Sequence, residues 1–536
     1  MKTMDGALLK RCLAGGYRLL DQKKEEVNIL NVFPVPDGDT GTNMSLTMQS
    51  AIKQIESVKS DRVSDVGKAL GMGSLMGARG NSGVILSQLC RGIADAVKGK
   101  DVVRLEDFQS IFFSAKEKAY KAVMKPTEGT ILTVARSFSE FVEANISQIS
   151  SIPELLQGVL AYGNYTLQKT PDMLPALKEA GVVDAGGQGL VYLLAGFLAE
   201  LTGLDSEELL QVEDLGPLQT GTTTGSVSSH LYRVEAELAE AGQKQKDLEK
   251  KLSAYAEGLS LDERGENLLV EYQTDHLEKS LKAFLSRYEI ISLRVENLQR
   301  EAAPEPVEKK TAEEKKDLKK YGFVTVSLGQ GFNSIFEGLL VDQIVSGGQT
   351  MNPSTQDLYE AVERVDAENV FIFPNNKNII MAADQVKDLT EKNVIVIPTR
   401  SIPQGFTALF NFDDQADPEE NRKQMTESAD SIITGQITYA VRDTEINGLK
   451  IKKDDYIGLI NDQIVQTGQD RDQLLLALLE KYVNEEASLV TVYAGDGIEE
   501  EGFNRLAKKV ENCYSDLDVD FEFGNQPTYF YIFSIE

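Results

Sequence analysis

The sequence predicts a multidomain protein with an all-α N-terminal domain, a small α/β middle domain and an α/β C-terminal region. Helical periodicity dominates residues 1–207, strand-like and helical segments alternate over 230–302, and short branched or aromatic runs separated by helices follow over 321–536. Polar or charged stretches at 208–229 and 303–320 join these parts and are predicted to be linkers. The chain is long enough for about two to four domains.

The N-terminal domain is predicted from four segments with apolar residues at the i, i+3, i+4, i+7 spacing of an amphipathic helix. They are SLTMQSAIKQIESV, SGVILSQLCRGIADAV, SAKEKAYKAV and LLQGVLAYGNYTLQ. Short loops containing Gly, Pro or Asp separate these segments, and alternating strand patterns are scarce. The pattern is typical of an all-α bundle.

The middle and C-terminal parts show strand patterns. In the middle part HLYRVEAEL, ENLLVEYQT and EIISLRVENL alternate with two charged helical segments. The predicted C-terminal strands are YGFVTVSL, NVFIFPN, NVIVIPT, KDDYIGLI and ASLVTVYAG, with helices such as STQDLYEAVERV and DRDQLLLALLEKYV between them. In the C-terminal region this alternation of strands and helices predicts mostly parallel sheets.

Composition excludes several classes of function. The net charge of −29 argues against nucleic acid or an anionic membrane as a main partner, because both require a basic surface. No long apolar run or signal peptide is present, so we expect a cytoplasmic protein without stable membrane insertion. Three distant cysteines without a CxxC pair fit a reducing compartment. The two histidines, His230 and His276, exclude a histidine triad from the first 229 residues.

The stretch NVFPVPDGDTGTNM, residues 31–44, places Asp37 and Asp39 two residues apart after two prolines that restrict the backbone. An ordinary turn is one interpretation, since Asp and Gly are common turn residues. The alternative is a phosphate and metal site. Residues 40–43 begin a helix, helix N-termini favour anions, and Mg²⁺ is commonly held by carboxylates together with substrate phosphates.

A second glycine-rich stretch, GMGSLMGARGNSGVILSQ, spans residues 71–88. It is either a helix–helix turn capped by Ser82 or a cradle of backbone N–H groups for phosphate. It matches neither the P-loop nor the dinucleotide-binding fingerprint. TEGT at 127–130 and GVVDAGGQG at 181–189 are weaker signals, but four such loops are more than the turns of one helical domain require.

These four stretches, in this order, resemble the ATP-binding L-domain of dihydroxyacetone kinases, and more closely the kinase component of bacterial fatty acid kinase. GGQTMNPSTQDLYEAVERVDAENVFIFPNNKNIIMAADQ, residues 347–385, and the ending GNQPTYFYIFSIE are similar to the C-terminal region of that kinase component. The resemblance covers nearly the whole chain and is weakest between residues 228 and 302.

The resemblance implies an antiparallel helical barrel that binds ATP and two Mg²⁺ ions at one end. The implied reaction is ATP-dependent phosphorylation of a fatty acid on a separate carrier, giving an acyl phosphate for phospholipid synthesis. A carboxylate is already ionised at pH 7, so no general base is required. The resemblance also implies a DegV-like fold for the C-terminal region, recruitment of a DegV-like fatty-acid-binding carrier protein, and a homodimer.

The resemblance also assigns residues. Asp37, Asp39 and Arg79 would be catalytic, with Arg79 neutralising charge on the transferred phosphoryl group. The expected metal ligands are Asp37, Asp39 and Asn31, of which Asn31 replaces a carboxylate of the family. The expected nucleotide-binding residues are Thr40, Gly41, Thr42, Asn43, Asn81, Ser82, Gly83, Gly129, Thr130, Asp184, Ala185 and Gly186.

The expected partner-binding residues are Gly348, Gln349, Thr350, Met351, Asn352, Asn375, Asn376 and Lys377. A second interpretation gives these residues the task of fixing loops. In that case GGQTMNPST is a turn followed by a helix that Ser354 or Thr355 caps.

The middle part departs from the family. The family carries a cysteine and an HxH pair there, whereas this chain has Arg233, Glu271 and Gln273 at those positions, with His276 three residues beyond. We therefore expect no zinc. Two rival functions stay open: a stand-alone kinase for dihydroxyacetone, which requires a substrate-binding histidine in a suitable domain, and a non-enzymatic ATP-sensing scaffold.

Overall fold

The structure is a computed structural model. It describes residues 1–32, 38–211, 318–348, 352–440, 443–446 and 448–536, and, in the middle of the chain, residues 232–239, 248, 252, 256–264, 267–274, 277, 280–281 and 289–297. The chain divides into two compact units, one formed by residues 1–218 with 315–536 and the other by residues 219–314.

The N-terminal part is helical, as predicted. Its helices are α1 Gly6–Leu30, α2 Thr40–Glu56, α3 Val63–Met76, α4 Gly80–Ala96, α5 Asp107–Lys121, α6 Ile131–Asn145, α7 Ile152–Gln168, α8 Thr170–Met173, α9 Pro175–Ala180, α10 Ala185–Thr202 and α11 Ser206–Leu210. A short antiparallel ribbon, β1 Thr3–Asp5 and β2 Val102–Arg104, accompanies them.

The long helices pack in a cyclic order. Each of α1 to α7 contacts the next, and α10 contacts both α7 and α1. That order is the one a helical barrel requires, although the antiparallel barrel itself stays a prediction. The α1–α10 contact depends on glycine, since a Cβ at Gly196 would lie 2.5 Å from the carbonyl oxygen of Gly15 and 2.9 Å from the Cα of Gly16.

The middle unit contains a four-stranded antiparallel sheet in the order β4-β5-β3-β6. Its strands are β3 Tyr232–Ala239, β4 Glu257–Arg264, β5 Asn267–Thr274 and β6 Glu289–Asn297. The sequence predicted three of these strands and missed β4. In the register of the sheet, Arg233 lies opposite Gln273 and Glu235 lies opposite Glu271. The side chains of Arg233, Glu271 and Gln273, and the whole of His276, lie outside the described residues, so the prediction about zinc is not tested.

The C-terminal region contains two larger sheets. The first has four parallel strands in the order β10-β9-β7-β8: β7 Lys319–Ser327, β8 Gln343–Ser346, β9 Ala367–Phe373 and β10 Asn393–Val396. The second has the order β15-β14-β11-β18-β16-β17: β11 Ile433–Tyr439, β14 Tyr456–Ile460, β15 Gln463–Gly468, β16 Leu489–Ala494, β17 Asp518–Phe523 and β18 Tyr531–Ile535. A small hairpin joins β12 Thr444–Ile446 to β13 Leu449–Ile451.

The prediction of mostly parallel sheets holds for the first sheet and is wrong for the second, where only β16 and β17 pair in parallel. A tight turn is one reason, because a short connection joins antiparallel strands only. Asn461 and Asp462 connect β14 to β15 with φ values of 46° and 64°. Positive φ at both positions is typical of a type I′ hairpin turn.

The C-terminal helices surround these sheets. They are α12 Gln330–Gly338, α13 Thr355–Arg364, α14 Lys377–Gln385, α15 Ile402–Phe410, α16 Pro418–Ser431, α17 Arg471–Tyr482 and α18 Glu500–Cys513. Helix α14 packs directly on α4 of the helical part. Ala78 and Val84 belong to the same buried cluster as Leu358 and Ile379, so the two parts share a hydrophobic core.

The predicted linkers differ from the structure at their ends. Helix α11 extends to Leu210, inside the predicted 208–229 linker, because Asp205 caps its first turn by accepting from Glu207 N at 2.8 Å. Strand β7 begins at Lys319, inside the predicted 303–320 linker, because it pairs with Ala367 of β9. In the part of the chain that the structure describes, no helix has the length and apolar character needed to cross a membrane.

The α1–α10 contact yields a stability prediction. Gly196→Ala is expected to destabilise the protein by about 1–3 kcal/mol, since the added methyl group meets backbone atoms that cannot move aside independently. The control is Gly338→Ala in α12, where a Cβ meets no atom within 4 Å. Thermal unfolding followed by circular dichroism would measure both. An unchanged melting temperature for Gly196→Ala would contradict the proposed close contact.

Candidate functional site

A cavity of about 270 Å³ opens where four helices begin. The sequence-predicted residues that line it are Asn31, Asp39, Thr40, Asn43, Asn81, Ser82, Thr130, Asp184 and Gly186. They come from the end of α1 and from the starts of α2, α4, α6 and α10. The fold therefore gathers residues that lie more than a hundred positions apart in the chain.

The start of α2 forms one wall of the cavity. Asp39 immediately precedes this helix, and Thr40 and Asn43 lie in its first turn, both largely buried. Thr42 turns away from the cavity and anchors the helix to α1: its N–H donates to Asn28 Oδ1 at 3.1 Å, and its hydroxyl accepts from Asn28 Nδ2 at 3.0 Å. The rigid start of α2 thus holds Asp39 and Asn43 at the cavity.

The start of α4 lies next to the start of α2 at the cavity. Gly80 has φ +57°, and a Cβ there would lie 2.5 Å from Asn43 Nδ2, so this position requires glycine on both grounds. Asn81 and Ser82 follow in the first turn and line the cavity. The helix begins at Gly80, so the interpretation of Ser82 as its cap is wrong.

These two helix starts share an electrostatic property. The residues that precede them, Asp39 and Arg79, make no side-chain capping hydrogen bond to the helix. The first N–H groups of an α-helix have no intrahelical partner, and the helix dipole adds partial positive charge at this end. In the first turn of α2 the N–H of Thr42 is already taken by Asn28 Oδ1. Two helix N-termini that the preceding residue does not cap, on one cavity, are suited to bind a polyanion such as a chain of phosphates.

The start of α10 differs, because Asp184 caps it. Its Oδ2 accepts from Gly187 N at 2.7 Å, and the carboxyl group is buried. Burial raises the pKa of the Asp184 carboxyl from 3.8 to about 7, although backbone hydrogen bonds from Gly187, Ile131 and Gly186 act in the opposite direction. This carboxyl therefore titrates near neutral pH.

Of the remaining lining residues, Thr127 belongs to the TEGT stretch that the sequence analysis singled out, and Lys125 and the apolar ones were missed. Apolar side chains also line the cavity: Ile85, Val123, Ile131, Leu132 and Met381. Such a surface suits an aromatic base. Lys125 and Thr127 also line the cavity. Lys125 lies two residues before TEGT. A positively charged residue next to a glycine-containing loop was the sequence feature from which this lysine could have been predicted.

Several predicted nucleotide-binding residues lie beside the cavity without lining it: Gly41, Thr42, Gly83, Gly129 and Ala185. Their contacts indicate roles in packing. A Cβ at Gly41 would lie 2.1 Å from Lys24 O, and one at Gly83 would lie 2.4 Å from Thr47 Oγ1, so close helix crossings require both glycines. Their assignment to nucleotide binding stays a prediction.

Arg79 does not line the cavity either. Its Nη1 donates to the carbonyl oxygen of Asn352 at 2.8 Å, and its Nη2 lies 3.5 Å from Asp357 Oδ2. The structure thus gives the guanidinium group a contact with the C-terminal region, where the sequence predicted a contact with the transferred phosphoryl group.

Of the expected partner-binding residues that the structure describes, three are buried. Asn352, Asn375 and Asn376 have exposed fractions of 3%, 8% and 4%, so a separate protein does not reach their side chains. Asn375 Nδ2 donates to Thr325 Oγ1 and to Val326 O, both at 2.9 Å, and Asn376 caps α14. For these three residues the structure favours the loop-fixing interpretation over partner binding.

The other expected partner-binding residues have different outcomes. Lys377 pairs with Asp462 at 3.1 Å, and Gly348 is partly exposed, so both stay predictions. Gln349, Thr350 and Met351 lie outside the described residues. Ser354 caps α13 as the second interpretation expected, with a reciprocal capping box to Asp357.

A metal ion would meet a suitable donor set here. Mg²⁺ is usually bound by one or two carboxylates and by substrate phosphates. Asp39, with the side-chain oxygens of Asn31 and Asn43 in the same cavity, provides donors of this kind. Asp37 lies outside the described residues, and within the described ranges no group of three or more His, Cys, Asp or Glu side chains could hold a metal ion.

The raised pKa of Asp184 yields a prediction about pH. A proton held more tightly in the folded state stabilises that state below pH 3.8, and this contribution is lost as pH rises through about 7. A shift of about three units corresponds to an upper bound of about 4 kcal/mol. Asp184→Asn keeps a capping oxygen but does not titrate. The free energy of unfolding of this variant should therefore fall less between pH 5 and pH 8 than that of the wild-type protein.

Urea unfolding of both proteins at several pH values would measure that difference, with the wild-type protein as reference for all other titrating groups. Parallel stability curves for the two proteins would show that Asp184 does not titrate in this range.

Two sequence-family models match the chain. The DAK2 domain model matches residues 34–199, and the C-terminal model of the FakA-like fatty acid kinase family matches residues 322–536. Relatives extend over the full length. Proteins named as uncharacterized from Staphylococcus aureus strains USA300 and MRSA252 are each 37% identical over 549 residues, covering 100% of this chain and of the relative.

Among solved structures, the fatty acid binding protein DegV from Bacillus subtilis matches with a TM-score of 0.31 and 12% identity, covering 40% of this chain and 99% of DegV. The Fak B3 protein of Streptococcus pneumoniae, loaded with linoleic acid, matches with a TM-score of 0.28 and 10% identity over 40% of this chain and 99% of that protein. The dihydroxyacetone kinase of C. freundii, in complex with AMP-PNP and Mg²⁺, matches with a TM-score of 0.31 and 13% identity. The match covers 41% of this chain and 49% of that kinase.

At these TM-scores the structural likenesses carry no argument about the site or the reaction. The two family models and the full-length relatives do identify the family. The chain belongs to the FakA-like fatty acid kinase proteins and carries a DAK2 domain in its N-terminal part.

Proposed function

We propose that this kinase transfers the γ-phosphoryl group of ATP to the carboxylate of a fatty acid held by a separate carrier protein. The observation that carries the proposal is a cavity lined by residues of two helix N-termini that the preceding residue does not cap, by Asp39 and by apolar side chains. That arrangement has a place for a chain of phosphates, for a metal ion and for a base. The proposal that the substrate is a fatty acid is based on the family to which the chain belongs.

In this proposal the first turns of α2 and α4 bind the phosphates through backbone N–H groups and the polar side chains of Thr40, Asn81 and Ser82. Lys125 adds a positive charge at the same cavity. Asp39 and Asp37, with Asn31, would hold Mg²⁺, which supplies positive charge against the phosphate oxygens when bound. The number of ions, two in the family expectation, is part of the proposal.

The chemical step requires little from the protein beyond position and charge. A carboxylate oxygen of the fatty acid attacks the γ-phosphorus in line, the bond to the β,γ-bridging oxygen breaks, and ADP leaves with its electron pair. The carboxylate is ionised at neutral pH, so no proton has to be removed. The product is an acyl phosphate. The absence of any histidine before residue 230 is compatible with this reaction.

The carrier is expected to be a DegV-like fatty-acid-binding protein that docks on the C-terminal region. Because Asn352, Asn375 and Asn376 are buried, we assign docking to exposed surface of that region and retain Gly348 and Lys377 as candidates. The homodimer and the use of the product in phospholipid synthesis belong to the same proposal.

Substitution of Asp39 tests the site. Asp39→Ala is expected to lower turnover with the loaded carrier at least about 100-fold, the usual effect of removing one group that stabilises developing charge. The control is Glu143→Ala, an exposed carboxylate in the last turns of α6, which should retain full turnover. Full turnover by Asp39→Ala would remove the catalytic assignment.

The acceptor is tested by ADP release from Mg-ATP with no addition, with dihydroxyacetone, with free oleate and with oleate on a purified carrier from the same cell. Turnover with the loaded carrier alone supports the proposal. Turnover with dihydroxyacetone alone would replace it by a dihydroxyacetone kinase. ATP binding without turnover under any condition would favour the non-enzymatic scaffold.

A further inference from the structure

We propose that Asn352 of the C-terminal region is a positioning residue of the phosphoryl-transfer site, acting through Asp39. This inference rests on the proposed function, because it gives Asp39 the role of a metal-binding and charge-organising carboxylate. It adds that the site is built by both the helical and the α/β part of the chain, so that the helical part alone lacks one of its supports.

The first observation is a short hydrogen bond between the two parts. Asn352 Nδ2 donates to Asp39 Oδ2 at 2.6 Å, and the Asn352 side chain is 3% exposed. Asp39 does not cap α2, so the helix does not fix the rotamer of its carboxylate. A buried amide donor on one carboxylate oxygen restrains that rotamer and reduces the charge that this oxygen presents.

The second observation is that Asn352 is itself held in place. Its carbonyl oxygen accepts from Arg79 Nη1 at 2.8 Å. Three residues later, Thr355 N donates to Ala78 O at 3.0 Å, which joins the start of α13 to the segment before α4. These contacts attach the loop of Asn352 to the same short segment, residues 78–80, that introduces the second phosphate-facing helix.

Gly80 lies where the loop of Asn352 meets the cavity. A Cβ at Gly80 would clash with Asn43 Nδ2 at 2.5 Å, and it would lie in ordinary contact with Asn352 Nδ2 at 3.5 Å. The amide of Asn352, the start of α4 and the cavity residue Asn43 are therefore close neighbours. The GARGN stretch acts here as a junction between both parts of the protein.

A second hydrogen bond joins the first turn of α4 to the C-terminal region. Asn81 Nδ2 donates to Asn378 Oδ1 at 3.1 Å, and Asn378 and Met381 of α14 line the cavity. The C-terminal region thus contributes lining residues as well as the support for Asp39. Asn352 Oδ1 is buried and has no hydrogen-bond partner among the residues that the structure describes, which leaves an oxygen beside the site for a water or a donor of the bound substrate complex.

The test compares two hydrogen bonds between the helical part and the C-terminal region, one made by Asn352 and one by Gln385. Asn352→Leu keeps a branched side chain at this buried position, although a larger one, and removes the donor. Asn352→Ala removes the donor without adding volume. The matched control is Gln385→Ala, which removes the hydrogen bond that Gln88 Nε2 donates to Gln385 Oε1 at 2.5 Å and lies outside the cavity. Two readouts are required: the affinity for Mn²⁺ with a non-hydrolysable ATP analogue, measured by electron paramagnetic resonance, and kcat with the loaded carrier.

The expected result for both Asn352 variants is a lower kcat and an Mn²⁺ affinity weakened by about 10- to 100-fold, the range found for residues that orient a metal ligand. Gln385→Ala should keep the wild-type Mn²⁺ affinity. Wild-type affinity in both Asn352 variants, or an equal loss in Gln385→Ala, would overturn the inference, since the effect would then be absent or due to docking in general.

Asp39→Ala separates this inference from the proposed function. If Asp39→Ala loses Mn²⁺ binding and turnover while the Asn352 variants keep both, the function stands and the positioning role fails. If Asp39→Ala also keeps both, the proposed site fails and the inference fails with it.

Discussion

The constraint on which the structure depends is the convergence of two helix starts on one cavity. Neither Asp39 nor Arg79 caps the helix that it precedes, and residues of both first turns line the cavity that Asp39 borders. In α2 the N–H of Thr42 donates to Asn28 Oδ1. Uncapped N–H groups are costly unless water or a ligand accepts their hydrogen bonds. The short loops, the glycines at helix crossings and the contact with the C-terminal region all serve to keep these two helix starts in place.

That constraint explains the distribution of glycine in the helical part. Gly41 and Gly83 permit close approach of α2 to α1 and of α4 to α2, and Gly80 permits the turn that begins α4. None of the three has a side chain to offer a ligand, yet each determines where the N–H groups of a first turn point. Asp184 adds a contrasting case, since it caps α10 and places a buried carboxyl group in the cavity wall.

Local features were predictable from the sequence, and assembly was not. The amphipathic helices, the parallel strands and the capping of α13 follow from periodicity and residue type, which act over a few residues. The antiparallel second sheet was missed because pairing between distant strands leaves little local trace. Arg79 and Asn352 were predicted to contact substrate and partner. In the structure Arg79 donates to the carbonyl oxygen of Asn352, and sequence alone could not show that both lie where the helical part meets the C-terminal region.

Hydrogen exchange tests the central claim most directly. Backbone amides of residues 40–41 and 80–82 would be followed by mass spectrometry with and without Mg²⁺ and a non-hydrolysable ATP analogue. Thr42 N and Asn43 N are left out because they already donate to Asn28 Oδ1 and to Asp39 O. If one polyanion bridges both helix starts, the two segments gain protection together and at the same ligand concentration. Protection of only one segment, or of neither while the nucleotide is bound, would contradict the shared phosphate site.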